Sequence, residues 1–237
     1  MIVICDINEV WRRKPFAALA EITDTLGVAP ADWKVARTHP DFKSNPGDGA
    51  MTVLPAMLPP GWASRTAWVG QRLLWRRIHR HARSIDREIN ALVVTSPHYL
   101  PLLDLIPPDL KTIYYASDDY HSYEGWDHVL DQERTLMDRV DHAFFVSEGL
   151  MERACDAYGI PAHKASVSMN ATEARFCQTD DRYPAAPPCG ELQRPIAGVV
   201  GGINDRLDFE LLLKCADMER LGTLPVSYTH LRAHETS

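Results

Sequence analysis

Asp118 and Asp119 stand together, with Tyr120 and His121 beside them, directly after the run Lys-Thr-Ile-Tyr-Tyr-Ala at 111–116. A short run of β-branched and aromatic residues predicts a buried parallel strand. The loops that follow such strands face the ligand crevice of a doubly wound sheet. Two carboxylates and an imidazole at that edge can orient an attacking hydroxyl and, where a reaction inverts its centre, take the proton. They also have a purely structural use, because Asp side chains cap helices and close turns through nearby backbone. His98 follows the preceding apolar run, 91–95, and is placed at the same edge.

A second constellation is Gly201-Gly202-Ile203-Asn204-Asp205-Arg206, after the apolar run 195–200. Glycines in that place let backbone N–H groups approach a phosphate, and the next helix adds the positive end of its dipole. Arg206 could pair with a diphosphate through both arms of its guanidinium. The motif is neither a dinucleotide fingerprint nor a Walker loop. A tight strand-to-helix turn capped by Asn204 or Asp205 accounts for it equally well.

Holding these residues at one edge requires alternating strands and helices. Short apolar runs predict strands at 1–7, 33–38, 51–54, 91–95, 111–116, 142–146 and 165–169. Pro15 fits the first turn of a helix that buries Phe16, Leu19, Ala20 and Ile22, with Gly27 past its end. Ser64 is placed to cap a helix over 65–87, and further helices fit 126–139 and 148–158. The 65–87 helix carries Arg65, Arg72, Arg76, Arg77, Arg80, Arg83 and Arg87, with Trp68, Leu74, Trp75, Ile78, Ala82 and Ile85 as its apolar side. A basic amphipathic surface of this kind suits anionic headgroups or a lipid-diphosphate; the plain alternative is a solvated face packed on the sheet. The Pro- and Ala-rich 179–194 reads as a linker. The fold class is therefore α/β: a Rossmann-like doubly wound parallel sheet over 1–178, then the start of a second such domain over 195–225.

Composition narrows the function. The net charge of -7 over 237 residues argues against general nucleic-acid binding. Five scattered cysteines without a Cys-x-x-Cys fit reduced thiols, not a zinc site or a disulfide framework. With no export signal and no bilayer-length apolar run, the expected location is the cytoplasm, at most peripheral to the inner face of the cell membrane. Residues 226–236 match one reading frame of a transposase-type sequencing adapter. The natural sequence is therefore expected to end near Pro225, and 226–237 to have no place in the fold.

Taken in order, Tyr-Tyr-Ala-Ser-Asp-Asp-Tyr (114–120), a helical stretch with Glu133, Val-Asp-His-Ala-Phe-Phe-Val-Ser-Glu-Gly-Leu (140–150) and Ser-Met-Asn (168–170) resemble the first half of a GT-B glycosyltransferase. The nearest likeness is to the bacterial glycosyl group 1, or family 4, proteins that build cell-surface polysaccharides, and it spans roughly 1–224. It implies a nucleotide-sugar donor, a saccharide or lipid-linked acceptor, and no metal or other cofactor. It assigns catalysis to Asp118, Asp119 and His121, donor binding to Gly201, Gly202, Asn204 and Arg206, and acceptor binding to Trp11, Arg12 and His98. It also implies that most of the donor-binding half is missing, so that this chain is an inactive fragment. The sequence departs from the pattern in two places: no glycine-rich loop lies between Asp6 and Pro15, and Met-Asn-Ala-Thr-Glu (169–173) stands where relatives carry Pro-Asn-Gly-Val-Asp. Two other readings share the fold: a UDP-sugar epimerase or hydrolase, and a non-catalytic sugar-nucleotide-binding partner protein.

Overall fold

The computed structural model describes residues 1–8, 10–38, 51–123, 125–170, 192–202 and 207–229. The chain divides into two compact units, Met1–Glu173 and Ala174–Ser237.

The first unit is a sheet of seven parallel strands: β1 (Ile2–Cys5), β2 (Thr25–Asp32), β3 (Thr52–Leu58), β4 (Ala91–Val94), β5 (Lys111–Ala116), β6 (His142–Phe145) and β7 (Ala165–Val167). Their order is β3-β2-β1-β4-β5-β6-β7. The direction of winding reverses between β1 and β4, which is where such sheets open a crevice at their carboxyl ends. The helices are α1 (Val10–Ile22), α2 (Trp33–Thr38), α3 (Ala67–Ser84), α4 (Asp127–Arg139) and α5 (Glu148–Tyr158), with 3-10 turns at Pro97–Asp104, Tyr120–Ser122 and Ala162–Lys164.

Two cores lie on opposite faces of the sheet. One joins Val3, Leu26, Leu92 and Tyr114 to Leu74 and Ile78 of α3, Leu136 and Met137 of α4, and Ala154 of α5. The other joins Ile4, Ile7, Val93 and Tyr115 to Phe16, Leu19 and Ala20 of α1. The strands covered on both faces read as near-continuous apolar runs, as parallel strands do.

The second strand departs from expectation. The structure makes Thr25–Asp32 the strand and Trp33–Thr38 a helix, where the sequence suggested a strand at 33–38. Gly27 and Pro30 look like turn residues but each has a place in β2. A Cβ on Gly27 would lie 2.6 Å from Ile7 Cδ1. Pro30 falls beyond the last pair with β1, Cys5↔Val28, so its missing N–H costs no ladder bond on that side. Asp32 then accepts the Lys34 N–H at 2.7 Å and starts α2.

Smaller corrections follow. The first helix begins at Val10, so Pro15 lies in its second turn, and Ile22 is 83% exposed. The arginine helix runs Ala67–Ser84 with Thr66, not Ser64, at its N-cap position, and the Thr66 side chain makes no capping bond. Its buried residues are Gly70, Gln71, Leu74, Ile78 and Ala82, whereas Trp68 is 67% exposed and Ile85 is also exposed. Pro55 sits within β3, at the sheet edge, where a strand proline is tolerated.

In the second unit, β8 (Val199–Gly202) pairs in parallel with β9 (Val226–Thr229), and Asp208 caps α6 (Phe209–Ala216) by accepting the Leu211 N–H at 2.8 Å. The expectation that nothing from residue 226 onward has a place in the fold is corrected at Val226–Thr229, a β-branched and aromatic segment that suits a strand. No residue of α6 is buried, and Val200 of β8 is 84% exposed.

Candidate functional site

The chain leaves β1 through Asp6, which holds a left-handed backbone (φ 68°). Asp tolerates that conformation better than most residues, at some cost in strain. The turn that follows is fixed by Arg13, a buried side chain that donates to the Ile7 carbonyl at 2.8 Å and the Asn8 carbonyl at 3.0 Å. Its neighbour Arg12 is ion-paired to Asp6 and lies 3.7 Å from Asp118, past the end of β5. One guanidinium thus ties the β1 turn to the β5 turn across the switch point. Burial pushes the Asp6 carboxyl above the usual carboxylate range, Arg12 and His98 pull it down, and Asp118 adds to the rise.

His98 lies at the same edge after β4. Its backbone N–H meets the Ser96 hydroxyl at 3.4 Å and its carbonyl accepts from Gln71 at 3.1 Å. Burial outweighs the nearby Asp6 carboxylate and lowers its pKa, which favours the neutral ring.

Asp119 starts the turn Tyr120–Ser122. It pairs with Arg153 of α5 at 2.8 Å and has His121 Nδ1 at 3.8 Å. The His121 ring lies 5.4 Å from that of Tyr158, whose hydroxyl donates to Glu133 at 2.8 Å. Tyr114 donates to the other oxygen of Glu133 at 2.7 Å. Glu133 is buried, and burial raises its pKa against the pull of the two tyrosine hydroxyls.

The structure thus brings Asp118, Asp119, His121, His98 and Arg12 to the carboxyl edge of one sheet. Trp11 is in α1, with its side chain outside the described residues. Gly201 and Gly202 lie within β8 of the other unit, not in a loop, and Asn204 and Arg206 lie outside the described residues. Sequence reasoning missed Asp6, although it follows a buried strand as Asp118 does. It also missed Thr95, Tyr115 and Ser117, which line a narrow notch with Arg12, Phe16 and Asn170. More open clefts lie at the opposite edge, around Trp75, His79, Arg83, Arg87 and Asn90. They sit at the amino end of β4, away from Asp6, Asp118 and Asp119.

Asp141 belongs to that opposite edge as well. It accepts the Thr112 N–H at 2.8 Å and the Thr112 hydroxyl at 3.0 Å, clamping β5 to β6. These bonds hold its pKa below the usual carboxylate value. A lowered folded-state pKa gives stability that is present above the unfolded value and lost as pH falls through the folded one. Asp141→Asn is expected to lower stability at neutral pH by about 1 kcal/mol. The gap to wild type should close below about pH 4 in denaturant titrations. Ser147 caps α5 by accepting the Leu150 N–H at 3.2 Å.

No protein-family model and no curated protein matches the sequence. Among solved structures, Os79 from O. sativa in complex with UDP matches at a TM-score of 0.54 and 12% identity, over 87% of this chain and 60% of that one. Os79 with UDP and deoxynivalenol-3-glucoside matches at 0.50 and 12%, over 90% and 61%. Arabidopsis thaliana UGT89C1 complexed with UDP-L-rhamnose matches at 0.49 and 12%, over 98% and 67%. The chain spans about three fifths of the length of Os79. The likeness is one of fold: a Rossmann-like α/β domain of the GT-B type.

Proposed function

We propose that this chain is the acceptor-side part of a glycosyltransferase that moves a sugar from a nucleotide-sugar donor to a cell-surface polysaccharide or a lipid-linked acceptor. The observation that carries this reading is the carboxylate–histidine cluster at the switch point of a sheet whose fold matches a UDP-bound protein, Os79. In it, His121 takes the proton of the acceptor hydroxyl, while Asp119 orients the ring and stabilises its charged form, as in other base-and-orienter pairs. Arg12 and Asp118 hold the acceptor, with His98 beside them. The donor diphosphate falls to the second unit, around Gly201–Arg206.

The exposure of α6 and Val200 supports a further element of the proposal. A unit whose described residues bury so little apolar area does not order a full donor pocket. This chain is then inactive beside a longer gene product with a complete donor-binding domain. The test is nucleotide-sugar turnover by both proteins, with and without a saccharide acceptor. Turnover by the longer protein only when acceptor is present is expected. Acceptor-independent conversion would favour the epimerase or hydrolase reading, and equal turnover by the short chain would contradict the division of labour.

Arg76, Arg77, Arg80 and Arg83 of α3 form no ion pair among the described residues, and Arg72 lies over Trp68 at 6.0 Å. The proposal therefore includes peripheral contact of α3 with an acidic membrane surface. No described helix is long and apolar enough to cross a membrane. Vesicles containing phosphatidylglycerol should co-sediment with the chain at low salt and release it as salt rises past the range where the screening length drops below about 10 Å. Binding that is absent, or indifferent to salt, would contradict this.

A further inference from the structure

The notch between α1 and the ends of β4 and β5 is lined by Tyr115, whose hydroxyl is unexplained. Tyr115 is 7% exposed, its ring packs edge-on against Phe16 at 5.1 Å, and its hydroxyl meets no hydrogen-bond partner among the described residues. Burying a hydroxyl without a partner costs about 1–3 kcal/mol. Phenylalanine would fill the same space without that cost, so packing alone does not account for the hydroxyl.

The other lining groups define what would satisfy it. The Thr95 hydroxyl donates to the Cys5 carbonyl at 3.1 Å, and the Ser117 hydroxyl donates to Asp118 at 3.2 Å. Both have committed their protons and keep lone pairs free to accept. Tyr115 still has a proton to give. The lining therefore offers one donor and a choice of two acceptors, either of which can take the single proton of a neutral hydroxyl that accepts from Tyr115. Charge points the same way. Two carboxylates, Asp6 and Asp118, both stand against the guanidinium of Arg12. A phosphate oxygen brings negative charge and no proton, so it gains nothing there.

We propose that this notch binds one ring hydroxyl of a saccharide, with Tyr115 donating to its oxygen and either Thr95 or Ser117 accepting its proton. That the saccharide is the sugar acceptor rests on the glycosyltransferase reading; the hydroxyl site itself does not. Tyr115 is then a specificity-determining residue, selecting the acceptor by the position of one hydroxyl.

The test is a cycle of protein and ligand changes on the 237-residue chain, without any nucleotide sugar. The probes are the methyl glycosides of glucose, galactose and mannose and their monodeoxy analogues, titrated against wild type and Tyr115→Phe by ligand-observed NMR. Wild type should bind one parent glycoside about tenfold better than one of its deoxy analogues. Tyr115→Phe should bind that pair alike, and should melt no lower than wild type because an unpaired hydroxyl has been removed. The proposal is overturned if Tyr115→Phe keeps the preference, or if no methyl glycoside binds wild type. If the cycle holds but the longer protein transfers no sugar, the hydroxyl site stands and the transferase reading falls. If sugar is transferred and the variant keeps its preference, the reverse is true.

Discussion

Replacing His121 by alanine, or Asp119 by asparagine, in a protein with a complete donor-binding domain should cut turnover by roughly 10²–10⁴-fold, the usual contribution of a positioned general base. His121 and Asp119 Oδ1 are 3.8 Å apart, and Arg153 fixes the other carboxylate oxygen at 2.8 Å. Asparagine keeps the shape but loses the charge that stabilises a protonated imidazole. The effect should therefore appear in kcat, with little change in the acceptor KM. Asp118→Asn should do the opposite, because Asp118 is tied to Arg12 on the acceptor side. Its expected result is a raised KM with kcat nearly intact. Initial-rate measurements over acceptor concentration separate the two patterns. An Asp119→Asn variant with wild-type kcat would remove the pair from the mechanism.

The largest expected effect on stability is at Gly70. This residue is buried in α3, where a Cβ would stand 2.6 Å from the Trp62 Cβ and 2.7 Å from the Trp62 carbonyl oxygen. The obstacle is backbone together with the root of a side chain, so no rotamer change relieves it. On helix propensity alone, Gly70→Ala should stabilise by about 1 kcal/mol. Overpacking should reverse that sign and cost about 2 kcal/mol net, with Gly70→Val costing more. For a chain of this size each kcal/mol lowers Tm by about 2–4 °C, so thermal melts resolve the difference. A Gly70→Ala variant that melts higher than wild type would show that the segment before α3 shifts freely and does not brace the helix.

How legible these features were in the sequence depends on which physical signal each residue carries. Strands β1, β4, β5 and β6 announce themselves because a parallel strand covered on both faces is a near-continuous apolar run. β2 does not, because Gly27 and Pro30 carry turn chemistry that only the neighbouring strands override. Gly27 is small because Ile7 lies against it, and that contact belongs to the tertiary structure. At the site, Asp118, Asp119 and His121 were legible because polar residues directly after a buried strand fall at the crevice. The same rule applied to β1 would have found Asp6. Tyr115 was legible only as a strand residue. That it lines a notch and keeps an unpartnered hydroxyl depends on Phe16, Thr95 and Ser117, which meet only once the sheet is wound. The arginines of α3 were visible as a basic stripe. That Trp68 is exposed beside them, instead of covering the core, follows from where the helix settles on the sheet.

The central claim is that ligand binds at the carboxyl edge between β1, β4 and β5. The most direct measurement of it is backbone amide NMR of the 237-residue chain, titrated with the methyl glycoside that binds best. The account predicts shifts confined to Asp6–Asn8, Thr95–His98 and Tyr115–Ser122. Shifts centred instead on His79, Arg83, Arg87 and Asn90, at the opposite edge, would contradict it.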